Sequence, residues 1–104
     1  LIEKVPNAPT NLGAGGGNTQ SLLSWKAPTW DGGGTYAITG YVIQYSIDKG
    51  TTWSTAVADT ATTDPAYTVT GLTNGTTYQF RVAALNGAGT GAYSSASLSV
   101  TPSA

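Results

Sequence analysis

The sequence contains no cysteine, no histidine and no methionine. Without cysteine there is no disulfide to brace the fold and no thiol to react. Without cysteine or histidine the usual zinc ligands are gone. A serine nucleophile would lack its imidazole base. Charged residues make up only 9% of the 104 residues, and the net charge is −1. Ordinary soluble domains carry about 25%. A nucleic-acid groove or an anionic-membrane patch therefore has no electrostatic basis. No apolar run approaches the roughly 18 residues of a membrane-spanning helix. The first six residues are too short for a secretory leader and include Glu3 and Lys4. The chain reads as a piece of a longer one.

Leu, Ile, Val and Phe total only 18 residues. Such scarcity accompanies disorder when net charge is high, and here it is not. Three Trp, six Tyr and one Phe supply the missing apolar area. Each can bury roughly 150–250 Å², so a small aromatic-rich core is feasible. Thr, Ala, Gly and Ser together exceed half of the chain. This composition, free of Cys and weakly acidic, fits an extracellular domain and also a cytosolic one.

No stretch shows the 3.6-residue apolar period of a helix. Short alternating runs recur instead, punctuated by Gly, Pro, Asn and Asp. Leu23 and Trp25 form one such set. Others are Tyr41, Ile43, Tyr45 and Ile47; Tyr67 and Val69; Tyr78, Phe80, Val82 and Ala84; and Leu98 and Val100. Period two predicts that each set faces the core. Weaker strands are expected near 10–14 and 53–58. Asp48-Lys49-Gly50 reads as a tight hairpin with Gly at a positive-φ position. Seven short strands with negligible helix predict an all-β, seven-stranded antiparallel Greek-key β-sandwich of immunoglobulin-like type. Tyr78, just inside the sixth strand after a turn, has the placement of a tyrosine corner, whose hydroxyl bonds to upstream backbone.

Several segments in order resemble one family. They are Val5-Pro6-Asn7-Ala8-Pro9-Thr10-Asn11-Leu12, Leu23-Ser24-Trp25-Lys26-Ala27-Pro28 and Ile38-Thr39-Gly40-Tyr41-Val42-Ile43-Gln44-Tyr45. Tyr67-Thr68-Val69-Thr70-Gly71-Leu72 and Tyr78-Gln79-Phe80-Arg81-Val82-Ala83-Ala84-Leu85-Asn86 follow. Together they resemble a fibronectin type III domain, in particular those of bacterial secreted and cell-surface proteins. The resemblance implies strands A, B and E packed against C, C′, F and G. It also implies a non-catalytic spacer or adhesion role outside the cell, in places beside polysaccharide-degrading domains. Ser21 departs from the pattern, standing where the family places a larger inward apolar residue. Residues 86–92 would form the F–G loop, and they lack the Arg-Gly-Asp tripeptide.

The carboxylates are Glu3, Asp31, Asp48, Asp59 and Asp64. Glycosidic chemistry needs two of them flanking one bond, and Ca²⁺ needs six to eight oxygens. No spacing meets either need, and Asp is an ordinary turn former. No catalytic, metal or cofactor residue is assigned. The candidate ligand-binding residues are Trp30 and Tyr36, in the loop 29–37 expected beside the F–G loop, where aromatics stack on a sugar or anchor a partner. Gly32–Gly34 and Gly87, Gly89 and Gly91 are expected to make that end flexible and costly to order. Trp53 reads as a flank covering the sheet, and Arg81 as the one charge on an outward strand face. Asn74-Gly75-Thr76 matches an N-glycosylation sequon, but reads better as a turn.

The expected organisation is a tail at 1–5, the sandwich at 6–102 and a tail at 103–104. The expected role is an extracellular, non-enzymatic module of a bacterial multidomain protein. Its partners would be neighbouring domains and a polysaccharide or protein, without nucleic acid or membrane, and the isolated domain would be a monomer. The alternative is a carbohydrate- or protein-binding module, or a scaffold with engineered loops, acting through Trp30 and Tyr36.

Overall fold

A computed structural model describes residues 5–28 and 37–104. Seven strands are present: β1 (Thr10–Gly17), β2 (Gln20–Lys26), β3 (Gly40–Ser46), β4 (Ser54–Val57), β5 (Ala66–Val69), β6 (Gln79–Asn86) and β7 (Gly89–Tyr93). They form a three-stranded sheet, β1-β2-β5, and a four-stranded sheet, β4-β3-β6-β7. Every pairing is antiparallel. This is the sandwich expected from the sequence, with β1, β2 and β5 as A, B and E.

Alternation places the core correctly along β2 and β6. Ser21, Leu23 and Trp25 are buried while Leu22 is 53% exposed. Tyr78, Phe80, Val82 and Ala84 are all buried. Leu23, Trp25, Val69 and Leu72 from one side meet Tyr41, Ile43, Phe80 and Val82 from the other. Ser21 sits inward with its hydroxyl donating to the Gly15 carbonyl at 3.0 Å. The small residue is thus accommodated by a hydrogen bond to β1, without a change of register.

Two expectations are corrected. Ile47 is 62% exposed, not inward. β3 ends at Ser46, which is buried instead. The Ser46 hydroxyl accepts from the Gly50 N–H at 2.8 Å and donates to Asp48 Oδ1. This bends the chain out of the sheet before Ile47 can pair. The connection from Ile47 to Trp53 is also longer than a tight hairpin, with positive φ at Lys49 (61°) as well as at Gly50 (88°).

Leu98 is the second correction: it is 88% exposed, and Ser97 is buried in its place. The last strand advances three residues for every two of β6. Thr90 and Tyr93 pair with Leu85 and Ala83. Ser94 and Ser97 then bond to Val82 and Phe80, and Val100 to Tyr78. Each extra residue is a bulge. At two of these steps a serine hydroxyl replaces a main-chain carbonyl. The Val82 N–H donates to Ser94 Oγ at 3.1 Å and the Phe80 N–H to Ser97 Oγ at 3.0 Å. A strict period of two cannot describe such a strand, so Leu98 is turned outward.

The two chain ends leave at opposite poles. Thr10 at the start of β1 lies beside Lys26 at the end of β2, and Gly17 lies beside Gln20. At the first pole, Pro6 packs on β7, where a Cβ added to Gly91 would fall on the Pro6 carbonyl oxygen. At the other, Pro102 is buried and its carbonyl accepts from the Gly75 N–H at 2.9 Å. The molecule is elongated, with extents of 49 × 25 × 20 Å.

Candidate functional site

Trp30 and Tyr36, the sequence-based candidates, lie outside the described residues, as does Asp31. Their expected neighbour is described and differs from expectation. Residues 86–92 do not form an open loop: Asn86 at the end of β6 pairs with Gly89 at the start of β7 in a tight hairpin. Asn86 Oδ1 accepts from the N–H groups of Ala88 and Gly89 at 2.9 and 3.1 Å. Gly89 and Gly91 belong to β7, and Gly91 is the seat of Pro6 rather than a hinge.

The remaining polar residues singled out above serve turns. Asp48 Oδ1 accepts from the Ser46 hydroxyl at 2.6 Å and the Thr52 N–H at 2.9 Å, and Oδ2 from the Thr52 hydroxyl at 2.6 Å. These donors, the Ser46 hydroxyl first, lower its pKa from 3.8 to about 2. Asp59 Oδ1 accepts from the Ala61 N–H at 2.8 Å. Among the described residues no group of three or more Asp or Glu could hold a metal ion. Asn74 lies in the β5–β6 turn, where Oδ1 accepts from the Thr19 N–H and Nδ2 donates to Asn18 Oδ1. Its amide is thus engaged across two turns, as a turn reading of the sequon requires. The Tyr78 hydroxyl accepts from the Thr73 N–H at 2.9 Å, so the tyrosine corner is formed.

One cluster on the outer face of the four-stranded sheet was only half visible in the sequence. Arg81 on β6 projects outward, and its guanidinium carbon lies 4.5 Å from the centre of the Trp53 ring and 4.3 Å from that of Tyr93. Gln44, its cross-strand partner on β3, accepts from Nε at 2.8 Å and from Nη2 at 2.6 Å through one oxygen. A cation stacked on aromatic faces gains about 0.5–2 kcal/mol per ring, more as it is desolvated. The outward cation was legible. Trp53 was read as covering this sheet, but its meeting with Arg81 and Tyr93 was not legible, because the sheet register brings them together from separate segments.

Among the described residues no helix is long and apolar enough to cross a membrane. A groove of about 300 Å³ opens between β1 and the stretch after β7, lined by Pro9, Asn11, Leu12, Ser94, Ser95 and Ala96.

The profile of the fibronectin type III domain matches residues 7–101. The chain belongs to the fibronectin type III family. Curated relatives include M-protein of striated muscle from Gallus gallus, 40% identical over 74 residues, covering 71% of this chain and 5% of that protein. Protein sidekick-1 of Homo sapiens is 34% identical over 96 residues, covering 89% of this chain and 4% of that protein. This fibronectin type III chain therefore spans about a twentieth of the relatives it matches. Among solved structures, domains A168–A170 of titin superpose with a TM-score of 0.84 at 28% identity, over 96% of this chain and 33% of that one. A Fn3-like protein from Clostridium thermocellum gives 0.74 at 23% identity, over 97% of both chains, and shows the fold alone. The curated relatives are animal proteins, so the expected bacterial setting beside polysaccharide enzymes finds no support in them. What stands is a fibronectin type III module of the kind found in larger multidomain proteins, a type that is typically non-catalytic.

Proposed function

We propose that this fibronectin type III module is a non-catalytic spacer that sets the distance between neighbouring domains. The observation that carries this reading is the anchoring of the two ends at opposite poles. Pro6 is held against Gly91 at one, and Pro102 is held by Gly75 at the other. Neighbours joined there are separated along the long axis. The sandwich resists collapse because packing, two bonded sheets and the Tyr78 corner fix its shape. The reading also assigns the module to an extracellular or cell-surface protein. Family membership carries no compartment, so that part rests on the resemblance read from the sequence, and protease treatment of intact cells tests it.

Small-angle scattering of one copy and of a covalent tandem of two tests the spacer. The maximum dimension of the tandem is expected to grow by a length comparable to the 49 Å axis. Growth of less than half that length, the mark of side-by-side packing, overturns the reading.

A further inference from the structure

We propose that the outer face of the four-stranded sheet binds a carboxylate of an acidic protein segment, with Arg81 as the centre of the site. Arg81 is the only arginine in the chain. Its side chain is half-buried, and among the described residues its only partners are the neutral Gln44 oxygen and the rings of Trp53 and Tyr93. Its charge is thus held in place without being neutralised.

The geometry leaves a specific opening. A guanidinium carries five in-plane N–H groups. Its central carbon lies over the rings of Trp53 and Tyr93, and Gln44 takes one N–H from Nε and one from Nη2. Three N–H groups remain, two on Nη1 and one on Nη2, and one from each nitrogen forms a fork on the edge next to the one Gln44 takes. Such a fork matches the two oxygens of a carboxylate. Because the rings and Gln44 already fix the group, little ordering cost remains on binding.

The surroundings favour an acidic partner. Asp48 lies in the β3–β4 turn at one pole, and Asp59 and Asp64 lie between β4 and β5 at the other. Among the described residues the face between carries Gln44, Thr55, Arg81 and Tyr93 and no acid. Trp, Tyr and Arg are the residue types that dominate protein interfaces. Here they converge beside Gln44 and Thr55 on one sheet face. A phosphate dianion calls for more positive charge than one guanidinium offers, so a carboxylate is the better match.

The single arginine gives one Nε–Hε signal in a nitrogen-15 NMR spectrum, which makes the test direct. Penta-glutamate is titrated into the folded chain at constant ionic strength, with penta-glutamine and inorganic phosphate as separate arms. The Arg81 Nε–Hε and Trp53 indole signals are expected to move saturably with penta-glutamate alone. In Arg81→Lys, which keeps the charge but loses the fork, the affinity read from the Trp53 signal is expected to fall about tenfold. In Tyr93→Leu, which keeps the fork but loses one rail, it falls less. An unmoved Arg81 signal overturns the proposal, as does an equal response to penta-glutamine. A response to phosphate as strong as that to penta-glutamate overturns the assignment to a carboxylate. The spacer reading and this one fail separately, since scattering from the tandem is indifferent to Arg81.

Discussion

Tyr78 shows how much one hydroxyl can hold. From its bridge to Val100 just before β6 it reaches the preceding turn and accepts from the Thr73 N–H, while its ring packs on Tyr45 and Phe80. Tyr78→Phe keeps the packing and leaves that N–H without its acceptor. The expected cost is about 1 kcal/mol or more in chemical denaturation. Asp48 makes a prediction in pH. Its pKa in the fold, about 2, lies below the 3.8 of an unrestrained side chain. The folded state therefore binds this proton less readily than the unfolded one. The stabilisation is present above about pH 4 and is lost as pH falls towards 2. The difference in unfolding midpoint between the wild type and Asp48→Asn is expected at neutral pH and closes over that interval. A gap that stays constant to pH 2 removes the assignment.

At the scale of elements, the last strand is the unusual one. Its serines stand in for carbonyls, so Ser94→Ala and Ser97→Ala each strand a buried N–H, of Val82 and Phe80 respectively. Each is expected to cost about 1–3 kcal/mol. Amide exchange at Val82 or Phe80 should quicken in the matching variant and not in the other. This strand also marks where the sequence stops being legible. Along β2 and β6 the ladder is regular, so alternation located Leu23 and Trp25, and Tyr78, Phe80, Val82 and Ala84, though Ala83 on the opposite side of β6 is buried as well. After Tyr93 the chain inserts residues against β6, and the parity that put Leu98 inside no longer holds. Ile47 escapes for a related reason, since the Ser46 hydroxyl ends the strand one residue early. The Arg81 cluster needed the register itself. Trp53, Gln44, Arg81 and Tyr93 come from four segments, and nothing local in the sequence announces their meeting.

Across the whole molecule, charge contributes little. None of the described charged side chains forms an ion pair: Asp48 and Asp59 bond to turn donors, and Arg81 to Gln44. Raising sodium chloride from about 0.05 M to 1 M is expected to shift stability by less than about 1 kcal/mol through screening. Urea denaturation at the two salt concentrations measures it. Sheets with so few charges must protect their edges in other ways. Here β4 and β5 are only four residues long, and β1, β4 and β7 carry register shifts. The chain ends cover more of the edge, with Pro6 over Gly91 and Thr101 over Gly16.

The separation of those two ends also limits how such a module can be inherited. Domains that sit inside a loop of a host protein need their termini side by side, as do domains that tolerate circular permutation. Here Pro6 and Pro102 are fixed at opposite poles of an elongated body. Grafted into a host loop, it would pry the host apart, and a permuted version would need a long strap along its flank. The arrangement open to it is to be strung end to end with its neighbours.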